Sequence, residues 1–141
     1  EISACLVGSE MCIRDSLSTI DAAYTVLQSD SSKVFMLNGG PYTITLPVAA
    51  NLQEGWYCKF VVKENTPSGD ITITAGSAIV DLVMKDPGGN ASNSTAGTEK
   101  TTVVFHTECT KGDYCNIFTD GSSYYAEAMS GIDDAIDHTV Q

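Results

Sequence analysis

From Tyr24 onward, apolar and polar residues alternate in short runs divided by clusters of Gly, Pro, Asn, Asp and Ser. This is the punctuation of an all-β domain and leaves little room for helix. The clearest runs are Lys33 to Asn38, Tyr42 to Leu46, Trp56 to Lys63, Asp70 to Thr74, Ala78 to Val83, Lys100 to Thr107, Asp113 to Thr119 and Ser122 to Glu127, with Tyr24 to Leu27 as a further candidate. In Tyr42 to Leu46, the residues Tyr42, Ile44 and Leu46 share one face and two threonines take the other, so the apolar face should be core. Trp56, Cys58, Phe60 and Val62 likewise point one way, and Tyr57, Lys59, Val61 and Lys63 the other. Ile71 and Ile73 repeat the pattern, as do Val103 and Phe105. The expected fold is all-β: a single β-sandwich or jelly-roll-like domain of about eight or nine short strands. A chain of 141 residues suits one such core.

Turn chemistry sharpens the boundaries. Pro47 cannot donate to a sheet ladder and should end its strand, and Gly55 lets the chain restart at Trp56. Asp120-Gly121 is a strong hairpin signal, because glycine readily takes the positive φ of a tight turn. Tyr124 and Tyr125 should then face opposite sides, one in the core and one at the surface or a subunit interface. The stretch Asp86 to Thr98 is nearly devoid of apolar side chains and reads as a long loop. It holds two N-glycosylation triplets, at Asn90 and Asn93, of a kind that arises readily by chance in such loops. Residues Ile132 to Asp137 should form one helical turn or an extended arm able to dock on a neighbour.

Charge removes several functional classes. Eighteen acidic residues against seven basic ones give a formal charge of −11, which repels nucleic acid phosphates and anionic membranes alike. Neither nucleic acid nor a membrane is therefore an expected partner. No apolar run approaches the roughly 20 residues needed to span a bilayer. Glu1, Glu10 and Asp15 stand where a signal peptide would carry positive charge.

Candidate chemistry is thin, and no catalytic, cofactor or metal residue is predicted. His106 lies three residues before Cys109 on a strand, with no third orienting or ligating group nearby in sequence. Five cysteines, Cys5, Cys12, Cys58, Cys109 and Cys115, form no CxxC pair and no zinc-ligand spacing. Cys109 and Cys115 flank a turn symmetrically, a spacing compatible with a bridge across a hairpin or with two free thiols. Asp70, Asp86, Asp113 and Asp120 sit beside Gly, Ser or Pro and are explained first as turn formers. Asp133, Asp134 and Asp137 lack the glycine and terminal glutamate of an EF-hand loop and read as solvated charge. For carbohydrate recognition the aromatics on offer are Trp56, Tyr57 and Tyr125, if they are exposed.

The first sixteen residues share neither periodicity of the body. Residues Cys5 to Asp15, CLVGSEMCIRD, resemble translated sequencing-adapter sequence of metagenomic origin. On that resemblance, residues 1–16 are foreign, the natural chain begins near Leu17, residues 17–130 form the domain and residues 131–141 a C-terminal arm. Within the domain the ordered features are Leu46-Pro47-Val48-Ala49, Gly55 to Phe60, Ser68 to Ile73, Lys111 to Tyr114 and Thr119 to Tyr125. In that order and spacing they resemble the β-domain of tailed-bacteriophage virion proteins, including head decoration proteins, head fibres and fibre tips, over roughly Thr25 to Met129. Tyr114 and Tyr124 stand where such domains often carry Trp.

The resemblance implies a non-enzymatic virion protein. Its first form is a capsid decoration or cementing protein on the outer capsid surface, made in the host cytoplasm, binding the major capsid protein and itself as a trimer. A reducing cytosol would leave Cys109 and Cys115 as thiols unless they oxidise after release. A fibre or tail-tip module binding a host glycan is the alternative, and a cellular carbohydrate-binding or adhesion domain the second alternative.

Overall fold

Alternation is realised strand by strand. The computed structural model describes residues 16–64, 67–85, 87 and 99–139. Over these the chain forms ten strands: β1 Leu17–Ile20, β2 Tyr24–Thr25, β3 Val34–Leu37, β4 Tyr42–Thr45, β5 Tyr57–Val62, β6 Ile71–Lys85, β7 Glu99–Phe105, β8 Tyr114–Thr119, β9 Tyr124–Met129 and β10 Ile136–Thr139. The architecture is the expected all-β sandwich: the eight clearest runs give seven strands, the further candidate at Tyr24 gives β2, and β1 and β10, which were not foreseen, bring the total to ten. The runs Asp70 to Thr74 and Ala78 to Val83 are one 15-residue strand, β6, with a register shift between Thr74 and Ile79. Such a shift bends a strand while keeping it paired. The bend lets β6 serve both layers.

The first layer runs β1-β3-β5-β8-β9-β6, and the second runs β2-β4-β6-β7-β10. Along β6, residues Ile71 to Thr74 pair with β4 and β7, Ile79 and Val80 pair with both β7 and β9, and the stretch on to Lys85 pairs with β9. From β1 to β6 the chain alternates between layers, and within each layer these strands pair in parallel. Parallel neighbours need a crossover, and here each crossover passes through the opposite layer, so the first half winds as a coil. Strands β7 to β10 then close the sandwich through antiparallel pairs, apart from the parallel pairing of β9 with β6.

Both layers bury their inward rows in one core. Tyr124, Phe35, Phe60, Phe105, Leu37, Ile44, Ile71, Ile73, Ile79 and Ile117 are among its largest fully buried members. Phe35 and Phe60 stack with ring centroids 5.3 Å apart, and Tyr24 packs on Phe35 at 5.5 Å. Tyr124 is fully buried, as one of the two adjacent tyrosines had to be, and its hydroxyl donates to the Pro47 carbonyl at 2.6 Å, which ties the layers together. Trp56 is buried against Tyr124 and donates Nε1–H to the Gln28 carbonyl. The β8–β9 hairpin turns at Asp120-Gly121, with Gly121 at φ +85° and the Asp120 Oδ1 accepting the Ser122 and Ser123 N–H groups, each at 2.8 Å.

Among the described residues two carboxylates are buried, Asp30 and Asp113, and the first fastens the β2–β3 connection. Asp30 accepts the Leu27 N–H at 2.8 Å and the Tyr24 hydroxyl at 3.1 Å, and pairs with Lys33 at 2.7 Å. Burial opposes its charge, but the Lys33 and Leu27 hydrogen bonds outweigh that cost and hold its carboxyl below the ordinary value. A depressed folded-state pKa contributes stability above the unfolded value of about 3.9 and loses it as pH falls through the folded value. The expected result is therefore that unfolding free energy drops on acidification below about pH 4–5. In Asp30→Asn this part of the dependence should flatten while stability at pH 7 falls, measured by urea unfolding at several pH values.

Of the span Ile132 to Asp137, residues 132–135 bend and turn and only Ile136 and Asp137 are extended, as the start of β10, which pairs antiparallel with β7 of the same chain; Ala135 and Ile136 are buried. Residues 1–15, both glycosylation triplets and the loop Asp86 to Thr98 apart from Pro87 lie outside the described residues.

Candidate functional site

The two outer faces of the sandwich differ in chemistry. On the second layer the outward rows are Thr25–Thr45–Thr74 and Thr43–Thr72–Val104–Asp137, a surface dominated by threonine. Threonine suits a solvated strand face because it is β-branched and polar. On the first layer the outward rows are Tyr57–Phe118–Tyr125, then Leu17–Val34–Lys59–Asn116–Glu127, then Thr19–Met36–Val61–Tyr114–Met129. This face is apolar and aromatic on the solvent side. Leu17 is 56%, Tyr57 49%, Met129 42% and Phe118 38% exposed. The polar side chains Lys59, Asn116 and Glu127 separate the Tyr57–Phe118–Tyr125 row from Met129, so the exposed apolar surface lies in strips, and an exposed aromatic strip beside polar groups is a candidate interaction site.

The aromatic row is ordered by its own contacts. Phe118 and Tyr125 stack with centroids 5.3 Å apart and planes inclined by 16°. The Tyr125 hydroxyl donates to Asp120 Oδ2 at 2.8 Å, so the hairpin turn fixes that ring. The Ser123 and Ser122 N–H groups, then the Tyr125 hydroxyl, hold the Asp120 carboxyl below its ordinary range and keep it charged. Beside this row a groove of about 480 Å³ opens, lined by Gly55, Tyr57, Asn116, Phe118 and Glu127, with Cys58 and Ile117 beneath. The volume falls within the roughly 300–1,000 Å³ of small-molecule sites. Gly55 has φ +86° and nothing within 4 Å of a Cβ built upon it, so the mouth of the groove is open there. Lys59 is turned away, with Nζ 4.4 Å from the centre of the Tyr114 ring.

The residues singled out from sequence fall out differently. Tyr57 and Tyr125 are on this face, whereas Trp56 points into the core at 4% exposure. Strand alternation accounts for both, since Trp56 and Tyr57 are consecutive. Phe118, Asn116 and Glu127 went unmarked, although the run Tyr114 to Thr119 places an aromatic on each end of its non-core face. That aromatic content on the polar side was the available signal.

His106 follows β7 and faces Asp70, Nδ1 to Oδ2 at 3.2 Å. Among the described residues no group of three or more His, Cys, Asp or Glu is placed to hold a metal ion, and no helix is long and apolar enough to cross a membrane. Cys58, Cys109 and Cys115 are buried thiols, so the bridge left open between Cys109 and Cys115 is not formed. The Cys115 side chain points into the core opposite Phe60, while the Cys109 thiol donates to the Ala135 carbonyl at 3.0 Å. Burial, then the Asp113 charge, pushes the Cys109 thiol up to about 12, and burial raises that of Cys58 well above its ordinary value. Thiols so protonated are poor nucleophiles.

Asp113, expected only to shape a turn, does more. Its Oδ2 accepts the Thr110 N–H at 2.8 Å and the Ser130 hydroxyl at 2.9 Å, and its Oδ1 accepts the Gly131 N–H at 3.0 Å and the Thr110 hydroxyl at 3.3 Å. It joins the β7–β8 turn to the segment leading into β10.

No family model matches the chain, and neither a curated protein nor a solved structure matches it.

Proposed function

We propose that this chain is a non-enzymatic binding module displayed on the outside of a tailed-phage head. In this reading it is a decoration protein that associates with itself as a trimer and with the major capsid protein, turning the outer face of its first layer to solvent to recognise a glycan. The place on the particle rests on the ordered motifs from Leu46 to Tyr125 and their resemblance to virion domains. The recognition role rests on one observation, the groove between Tyr57, Phe118, Asn116 and Glu127. Aromatic rings cover the apolar faces of a sugar, and an amide with a carboxylate meets its hydroxyls in fixed directions. A fibre or tail-tip module would use the same groove with a different attachment.

Two measurements test this. Light scattering after size exclusion should give a trimer mass; a monomer would remove the self-association. Phe118→Ala should weaken polysaccharide retardation in native affinity gels about tenfold, on the order of 1.4 kcal/mol. Its melting temperature should stay within a few degrees of wild type, because Phe118 lies outside the core. Unchanged retardation in that variant would count against the groove.

A further inference from the structure

The groove's polar groups carry a charge bias that narrows what it can hold. Among the described residues that line it, the one acidic side chain is Glu127, which is exposed on β9 directly opposite Asn116. Asp120, one turn away, is kept ionised by its own hydrogen bonds and holds the Tyr125 hydroxyl against the aromatic row. The cation on this face closest in register, Lys59, lies opposite Asn116 on β5 but extends over the Tyr114 ring, in the row on the far side of the groove's polar end. No arginine occurs among residues 16–141, so the bidentate fork that recognises carboxylates and sulfates is absent from the body of the chain. The whole chain adds a field of −11.

On these grounds we infer that the groove selects neutral saccharides and rejects uronate-bearing and sulfated ones. The inference rests on the glycan-recognition reading above. An apolar ring face stacks on the exposed Tyr57 and Phe118 side chains. Hydroxyls donate to Glu127 and exchange hydrogen bonds with the Asn116 amide. An acidic substituent placed at the same end meets Glu127 with no compensating cation, and like charges at such separations repel appreciably near a protein surface.

The test is native affinity electrophoresis of the full chain in gels cast with a neutral galactomannan, a neutral β-glucan, alginate or heparin, at low ionic strength. Wild type should be retarded by at least one neutral polymer and at least about tenfold more weakly by either anionic one. Glu127→Lys should gain retardation by alginate or heparin, and added salt at about 0.2 M should remove that gain, because exposed charges are screened. Equal retardation of wild type by neutral and anionic polymers would overturn the selectivity while leaving glycan recognition standing, as would a Glu127→Lys variant with unaltered preference. If no polymer retards wild type, or Tyr57→Ala and Phe118→Ala are retarded as wild type is, glycan recognition itself fails and the selectivity with it.

Discussion

Asp113→Ala should lower the unfolding free energy by about 3 kcal/mol, because it strips a buried carboxylate of its part in four hydrogen bonds at once. Two of the donors are backbone N–H groups, of Thr110 and Gly131, and the Ser130 hydroxyl is itself buried. Removing the acceptor leaves the buried Ser130 hydroxyl and the half-buried Thr110 N–H without it, and unsatisfied buried polar groups carry the larger share of the cost. Asp113→Asn keeps the shape but presents an NH₂ group where Oδ2 accepted two donors, so it should recover only part of the loss. The local signature lies at the C-terminal segment, since Ser130 and Gly131 lead directly into the turn before β10. Hydrogen exchange at Thr110 and Gly131 should speed up, and Cys109, whose thiol donates to Ala135 in the same segment, should react faster with a thiol reagent. A variant as stable as wild type with Cys109 equally protected would show that β10 is held by its ladder with β7 alone.

What the sequence disclosed and what it concealed divide along a physical line. Alternation states which face of a strand is buried, so Phe60 and Ile73 on the inside and Tyr57 on the outside were readable from their positions alone. It does not state which strand is the neighbour. The parallel coil from β1 to β6 was therefore invisible, since a crossover through the opposite layer leaves no mark on local periodicity. The four-residue β1 and β10 were missed for a related reason: Leu17-Ser18-Thr19-Ile20 and Ile136-Asp137-His138-Thr139 are too short to show a period and are strands because β3 and β7 offer them open edges. The candidate site was half legible. Tyr57 and Tyr125 were marked, whereas Phe118 reads as one more core aromatic until its neighbours Ile117 and Thr119 are seen to take the inner face. Asp113 looks like an ordinary turn carboxylate because two of its partners, Ser130 and Gly131, lie in a bend remote in sequence with no motif of its own.

The contrast between two phenylalanines gives the largest expected effect. Phe60 and Phe118 lie on β5 and β8, strands directly paired through Tyr57↔Phe118 and Phe60↔Cys115, yet one points inward and the other outward. Phe60 is 0% exposed and stacked at 5.3 Å on Phe35, which itself contacts Tyr24. Phe60→Ala should cost about 3–5 kcal/mol, the lost transfer of the ring plus a cavity that the surrounding strands, fixed by ladder bonds on both sides, close only in part. Phe60→Leu, which fills most of that volume, should cost under about 2 kcal/mol. Phe118→Ala, facing solvent one strand away, should cost under about 1 kcal/mol. Urea unfolding midpoints at unchanged slope measure all three. The order Ala at 60, Leu at 60, Ala at 118 follows from strand parity alone. If Phe118→Ala proved as damaging as Phe60→Ala, the outer face of the first layer would be a packed interface rather than an open recognition surface.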